Sequence, residues 1–228
     1  MVCSLRGANF KRSFSDFIET ADYPCVGAKA ANARYSIEFF LAGDIESDES
    51  DVAITSRVQR FTSAACPQAL FVSLVVGFVG SRPMSELDFE TALWRRLQSL
   101  HDLDSADFAW DPRVSNDPQS PSFSMSIGGE GFYIIGVHPN ASRKARRFEC
   151  SALVFNLHSQ FEQLRADGRY TPLTKAITRR DIALSGAKNP MLAQHGERSE
   201  ARQYSGRDTR SDWRCPFRAV AAEPSDAS

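Results

Sequence analysis

Residues able to perform chemistry are concentrated in one stretch of the chain, HPNASRKARRFECSALVFNLH, which runs from His138 to His158. Between these two histidines lies a basic cluster that consists of Arg143, Lys144, Arg146 and Arg147. Imidazoles bind metals or transfer protons near neutral pH, and guanidinium groups bind phosphate or carboxylate. The stretch is therefore compatible with metal-centred chemistry, with anion binding and, as the simplest alternative, with the solvated face of a short helix.

Common catalytic motifs do not occur in the sequence. There is no P-loop, no GxGxxG and no HExxH, and SIGGEG is more economically a hairpin turn than a phosphate-binding loop. Hydrolase chemistry lacks a GxSxG elbow. Metal-centred chemistry stays open, although a single histidine is more often a hydrogen-bonded structural residue than a ligand. The histidines available for it are His101, His138, His158 and His195.

Length and charge limit the class of protein. A chain of 228 residues with 42% hydrophobic residues can bury one substantial core, so we expect one domain. The net charge of -1 gives no overall field that would attract nucleic acid or an anionic membrane. The longest apolar run, ALFVSLVVGFVG, is too short to span a bilayer. We therefore expect neither nucleic acid nor membrane as a partner.

Cysteine usage and the N-terminus favour a reducing setting. The five cysteines are odd in number and form no CxxC pair, which fits neither a disulfide framework nor a closely spaced zinc site. The first residues, MVCSLRGANFKRSF, lack the apolar stretch of a secretory signal. A cytoplasmic protein is the resulting expectation.

Hydrophobic periodicity predicts several helices. NFKRSFSDFIETA and AKAANARYSIEFFLA, separated by Pro24, read as two opening helices, and VAITSRVQRFTSA as a third. SELDFETALWRRLQSLHDLD has an apolar stripe and a capping-box-like start, with Ser85 three residues before Asp88. Further helices are expected in SRKARRF, in SQFEQLR and from about Tyr170 to about Ser185.

A small sheet should connect these helices. Strands are expected at about 69–79, as a hairpin within 122–137 and at about 151–156, in an order that the sequence leaves open. His138 and His158 each fall where a strand is followed by a helix, which is where ligands usually bind in such sheets. The fold class is α/β or α+β.

The expected organisation is a single domain over residues 1–217 with a long C-terminal loop. The polar segment after Ser185 still contains Tyr204, Trp213 and Phe217. Long irregular loops are uncommon in compact domains unless they are functional. Residues 218–228 read as a disordered tail.

Several long segments resemble one known family. YPCVGAKAA, LWRRLQSLHDLD, GVHPNASRKARRF, LVFNLHSQFEQLR, ITRRDIALSGAKNPML and SEARQYSGRDTRSDWRCPF closely resemble motifs of the bacterial YqcI/YcgG family, from about Tyr23 to Phe217. The chain departs from that pattern at Thr178, where an arginine is commoner, and within GAKN, where a more polar or β-branched residue is usual. Neither departure involves a candidate ligand.

The resemblance implies an activity. The family includes small haem-dependent N-oxygenases that hydroxylate the guanidino nitrogen of arginine or of cyclic arginine derivatives in natural-product pathways. It therefore implies haem b, dioxygen, an electron-donor protein or reductant, and a small guanidino or amino substrate, and it leaves a homodimer possible. The alternatives are a non-catalytic haem-binding sensor or carrier and an anion-binding module without haem.

A haem site gives the candidate residues their roles. The axial ligand is expected to be His158, ahead of His138 and of Cys215 as a thiolate; Cys25 has the same weakness as Cys215, a short and unspecific sequence context. The haem propionates suit Arg143, Arg146 and Arg147. A guanidinium substrate needs a carboxylate, for which Glu162, Asp181 and Glu200 are the candidates.

Overall fold

A computed structural model describes residues 7–64, 70–191 and 196–220. Within these ranges it contains seven α-helices and five β-strands. The helices are α1 (Gly7–Glu19), α2 (Val26–Ala33), α3 (Asp51–Ala64), α4 (Glu86–Asp104), α5 (His158–Ala166), α6 (Tyr170–Ser185) and α7 (Ala201–Tyr204). The strands are β1 (Ile37–Ala42), β2 (Ser73–Phe78), β3 (Met125–Ile127), β4 (Glu130–Val137) and β5 (Ser151–Leu157).

The strands form one mixed sheet in the order β1-β2-β5-β4-β3. β1 and β2 are parallel, whereas the other neighbours are antiparallel. Asn156 of β5 lies opposite both Ser73, the first residue of β2, and Tyr133 in the middle of β4. The fold is a single mixed α/β domain in which helices flank a five-stranded sheet, so the predicted fold class is confirmed.

One predicted helix is wrong in its second half. The helix α2 ends at Ala33, and Tyr35 then adopts a left-handed φ of 55°, which a continuing helix cannot accommodate. The following IEFFLA forms strand β1, because its apolar and aromatic residues pair with the buried strand β2. The sequence pattern of helix formers was overridden by this long-range pairing.

Both faces of the sheet are covered by apolar side chains. On one face, Phe10 and Phe14 of α1 pack against β-strand residues such as Val75. On the opposite face, Phe89 and Leu93 of α4 pack against the other side chains of the same strands. The sheet is therefore a central layer between helices.

The helix α4 begins as its sequence predicts. The Ser85 hydroxyl oxygen accepts a hydrogen bond from Asp88 N at 3.1 Å, and the hydroxyl lies 2.8 Å from Asp88 Oδ2. In place of the predicted SRKARRF helix there is only a short 3₁₀ turn, Lys144–Arg146. No helix in the described part of the chain is long and apolar enough to cross a membrane.

The C-terminal segment packs onto the domain. Tyr204 and Phe217 are buried in the larger core. Val220 N donates a hydrogen bond to His101 Nε2 at 2.9 Å, so the segment stays attached to α4 up to that point. Of the predicted tail, residues 221–228 lie outside the described residues.

Candidate functional site

The arginines of the basic cluster are engaged with the protein itself. Arg146 donates hydrogen bonds to Gly136 O at 2.9 Å and Tyr204 O at 3.2 Å through Nη1, and to Gln203 O at 3.1 Å through Nη2. Burial lowers the pKa of Arg146. The strand β3 pairs with residues 130–132 of β4, the first three of that strand. Arg146 bonds the edge of β4 beyond these residues, at Gly136, and links it to α7 through Tyr204 and Gln203.

The two neighbouring arginines also have partners. Arg143 forms an ion pair with Asp181 of α6 and donates to Ala187 O at 3.2 Å. Arg147 donates to Ala141 O at 2.9 Å and to Ser142 O at 3.2 Å. These contacts give the cluster a structural role. Propionate binding by the arginines stays a prediction, and the contacts do not support it.

His158 occupies the point where β5 passes into α5. Its side chain lies against Gly131 of β4, where an added Cβ would approach His158 Cβ to 3.2 Å. Nδ1 lies 3.0 Å from Ser124 Oγ, and Nε2 lies 3.0 Å from Glu162 Oε1. The His158 side chain is 12% exposed and that of Glu162 is 53% exposed. Nδ1 therefore faces the interior, and Nε2 faces the partly exposed Glu162 side chain, a side of the ring that we call the rim.

On its inner side His158 is followed by a chain of buried hydroxyls and a carboxylate. The Ser124 hydroxyl donates to Glu200 Oε1 at 2.6 Å, and the Tyr204 hydroxyl lies 2.6 Å from the same oxygen. Tyr204 is fixed in turn by Met125 N, which donates to its hydroxyl oxygen at 3.1 Å. Burial raises the pKa of Glu200 to about 7.

This His158 cluster joins three residues that the sequence nominated and three that it did not. His158, Glu162 and Glu200 were candidates, although Glu200 lies behind His158 rather than at an open surface. The members that sequence reasoning missed are Ser124, Tyr204 and Arg165, which forms an ion pair with Glu162. The spacing of Tyr204 four residues after Glu200 was the available signal, because it favours contact on one helix face.

Asp181 does not belong to this cluster. Its carboxylate binds Arg143, and Ser185 Oγ lies 3.4 Å from its other oxygen. It therefore holds α6 against the turn that carries the basic cluster.

His138 and His101 are core residues. The ring of His138 stacks on Phe89 with centroids 4.3 Å apart, and burial lowers the pKa of His138 to about 4. Nδ1 of His138 has no hydrogen-bond partner among the described residues. His101 accepts from Val220 N and packs edge-on against Trp110. His195 lies outside the described residues.

Burial of the two cysteine candidates favours the protonated thiol over the thiolate. Burial raises the pKa of Cys215 to about 12, and it also raises that of Cys25, whose Sγ caps α2 by accepting from Ala28 N at 3.4 Å. Cys150, by contrast, is disulfide-bonded, so the expectation of no disulfide, made from the odd number and wide spacing of the cysteines, is wrong for this residue. Since the thiolate is the ligand form of cysteine, this protonation disfavours Cys215 and Cys25 as axial ligands.

The order Ser124, His158, Glu162 is similar to that of a hydrolytic triad, but the burial of Ser124 argues against that chemistry. Ser124 is fully buried, and its oxygen is already paired with both His158 and Glu200. A nucleophilic serine has to reach the substrate. The cluster is therefore better suited to holding His158 than to acyl transfer.

The donor set of the cluster suits haem better than a bare metal ion. Within the described residues there is no group of three or more His, Cys, Asp or Glu side chains that could hold a metal ion. Haem iron needs only an axial ligand from the protein, since the porphyrin provides its other nitrogens. His158 fits that need, because Nδ1 is anchored by a buried partner and Nε2 points to the rim, the arrangement common in metal-binding histidines.

Two cavities in the described part of the chain lie away from His158. One has about 410 Å³ and lies between α1 and β1, and the other has about 100 Å³ and lies beside α4 near Glu46. Neither is lined by His158 or by its partners.

Comparison with known proteins gives one match. The model of the YqcI/YcgG family matches residues 14–218, which is nearly the whole chain. No curated protein and no solved structure matches the chain.

Proposed function

Because the chain belongs to the YqcI/YcgG family, we propose that it is a haem-dependent monooxygenase that N-hydroxylates a guanidino or amino group of a small arginine-like substrate. The family match supports the assignment through the haem-dependent N-oxygenases that the family includes. The observation that carries it in this chain is the anchoring of His158, with Nδ1 on buried Ser124 and Nε2 at the rim.

His158 is the proposed axial ligand. His158 would hold the haem iron through Nε2, once the half-exposed Glu162 side chain has rotated away from that nitrogen. Bound haem b would supply the redox-active iron at which dioxygen is activated with external electrons. The buried contacts of His158 keep its ring in one orientation throughout.

Glu162 is the best placed of the three carboxylates to bind a guanidinium. Asp181 is paired with Arg143, and Glu200 with two hydroxyls in the interior. Glu162 also has partners, Arg165 and His158, but its side chain is 53% exposed and can be reached by a substrate. A carboxylate binds a guanidinium through paired, charge-assisted hydrogen bonds. The protein's own contribution is to orient the substrate nitrogen and exclude water.

Haem titration and product analysis test the proposal. The purified protein should bind about one haem per chain and develop a Soret band. With reductant and dioxygen, the loaded protein should convert arginine or a related guanidine to a product heavier by one oxygen atom, as measured by mass spectrometry.

Two results would contradict the proposal. Protein that remains colourless after titration with haem would refute haem binding. Haem binding without turnover across a panel of guanidino and amino compounds would instead favour a non-catalytic sensor or carrier.

A further inference from the structure

The strand β1 has an edge that no described strand covers. It lies at one end of the sheet order and pairs with β2. Ala42 O accepts a hydrogen bond from Val79 N at 3.1 Å, and the backbone groups of successive residues in a strand point to alternate sides. The N–H and C=O groups of Ile37, Phe39 and Leu41 therefore point away from β2. Among the described residues these groups have no hydrogen-bond partner.

The sequence of β1 does not protect this edge. Proteins usually protect an exposed strand edge with lysine, proline or a bulge. The strand Ile37–Ala42 contains neither lysine nor proline, and its one charged residue, Glu38, forms an ion pair with Arg57 of α3. The aromatic and aliphatic side chains at its centre are only half-buried. Unpaired backbone groups beside apolar side chains make this edge a template for another strand.

A groove beside the edge provides further apolar surface. This is the cavity of about 410 Å³ between α1 and β1. Phe39 and Leu41 line it from the strand, and Gly7, Ala8 and Lys11 line it from the helix. Because Gly7 and Ala8 have little or no side chain, the start of α1 leaves the strand accessible. A strand that pairs with β1 would bury its side chains against this groove.

We propose that the edge of β1 pairs with the same edge of a second copy of this chain, in antiparallel orientation and with Phe39 opposite Phe39 of the other copy. The open stretch of β1 is symmetric about Phe39, since Gly43 N at its far end already donates to Ser50 Oγ at 2.9 Å. A two-fold axis at Phe39 pairs Ile37 with Leu41 of the other copy and gives every outward backbone group a partner. The two five-stranded sheets then form one continuous sheet.

The charges on either side of β1 favour a second copy as the occupant. Arg34 is exposed just before the strand, and Asp48 and Glu49 are exposed in the loop that follows it. Within the described residues none of these three side chains forms an ion pair. Antiparallel pairing brings the start of one β1 to the end of the other, so that Arg34 of each copy faces the acidic loop of its partner. The same chain therefore supplies both the strand and the complementary charges.

Sedimentation velocity and hydrogen exchange of the haem-free protein test this interface. The protein should form dimers whose population falls on dilution. In the dimer the backbone amides of Ile37, Phe39 and Leu41 should be protected from exchange, and they should exchange faster as the dimer dissociates. The amides of Glu38 and Phe40, which point towards β2, should be protected in both states.

Charge variants test the orientation of the two copies. Arg34→Glu alone, or Asp48→Lys together with Glu49→Lys, should weaken self-association roughly tenfold at low salt, because both symmetric contacts become repulsive. A mixture of the two variants should form heterodimers in preference to homodimers, since each contact then joins opposite charges. Native mass spectrometry distinguishes the three species. Arg214→Glu is the matched control, because Arg214 is exposed near Gln119, in the segment that leads to the opposite edge strand β3, and should leave dimerisation unchanged.

The possible results separate this interface from other arrangements. A monomer with rapidly exchanging Phe39 and Leu41 amides would overturn the inference, and a monomer in which these amides are protected would overturn it by showing that another part of the chain covers the edge. A dimer whose Phe39 and Leu41 amides exchange as in the monomer would have a different interface. A mixture of the charge variants without preferred heterodimers would overturn the antiparallel pairing. None of these results depends on haem, so the proposed function is tested separately.

Discussion

At the scale of single residues, the chemistry of the site depends on one histidine with two different sides. Nδ1 of His158 meets the buried hydroxyl of Ser124, while Nε2 meets the exposed carboxylate of Glu162. By contrast, His138 is stacked on Phe89 inside the core and its pKa is lowered to about 4 by burial. This difference in surroundings separates the proposed ligand from a structural histidine.

Replacement of His158 by alanine should abolish the Soret band or weaken haem binding by more than about tenfold, since the axial ligand is lost. Added imidazole should partly restore the spectrum by entering the space that the ring leaves. Absorption titration with haem provides the measurement, and Cys215→Ala serves as the control that should keep its Soret band. An unchanged band in His158→Ala, together with its loss in Cys215→Ala, would assign the ligand to the thiolate instead.

Glu200 should make stability depend on pH in a defined window. Burial raises its pKa in the folded protein from the ordinary 4.5 to about 7, so protonated Glu200 contributes stability that is fully present below pH 4.5 and is lost as pH rises through about 7. The loss is on the order of 3 kcal/mol. Urea unfolding of the protein and of Glu200→Gln should show the stability of the parent falling relative to the variant across this window. A constant difference between the two curves would contradict the raised pKa.

Much of this site could be nominated from the sequence but not assembled from it. His158, Glu162 and Glu200 were candidates by residue type and motif, and the structure brings them together. Ser124 was missed because a single serine just before a short strand has no sequence feature that distinguishes it from other serines. Its role exists only because the sheet and the C-terminal segment bring residues 124, 158 and 200 together, and contacts between such distant segments leave no local sequence signal.

At the scale of elements, a strand can be predicted where its own apolar run marks it, and it is missed where only pairing with a distant strand defines it. The segment 69–79 was predicted as a strand because of its apolar run, and β2 lies within it. The strand β1 was missed because its sequence continues a pattern of helix formers and only its pairing with β2 makes it a strand. Strand order likewise depends on contacts between distant segments, which periodicity does not contain.

Gly77 in β2 allows α1 to pack directly on the sheet, and Gly77→Ala should destabilise the protein by about 1–3 kcal/mol. A Cβ at this position would lie far inside van der Waals contact with Phe10 Cζ, because the Phe10 ring packs directly on the glycine. Gly43→Ala is the matched control, since its nearest neighbour would be Ser50 Oγ at 3.3 Å on the exposed surface. Thermal or urea unfolding measures the effect, and the double variant Gly77→Ala with Phe10→Leu should recover part of the loss. Equal stability of the two alanine variants would show that α1 is not held by this contact.

At the scale of the whole molecule, the C-terminal segment completes the domain instead of extending from it as a loop. Glu90 of α4 accepts hydrogen bonds from Ser205 Oγ at 2.8 Å and Trp213 Nε1 at 3.0 Å. Arg146 ties the same segment to the edge of β4. The segment carries Glu200 and Tyr204 into the His158 cluster, and the expectation that it is functional, made from its length and irregularity, stays a prediction.

Arg146 distinguishes a structural from a haem-binding role for the basic cluster. Replacement by methionine removes three hydrogen bonds from a charged donor and leaves carbonyl oxygens without their partner, so the free protein should lose about 3 kcal/mol or more of stability. Arg147→Met is the control, because Arg147 is exposed and donates only to nearby carbonyls, and it should cost less than about 1 kcal/mol. Urea unfolding in the absence of haem measures both variants. If Arg146→Met instead keeps the stability of the free protein and selectively weakens haem binding, the guanidinium binds a propionate, as the sequence suggested. A guanidinium with a structural role would stabilise the protein also in the absence of haem.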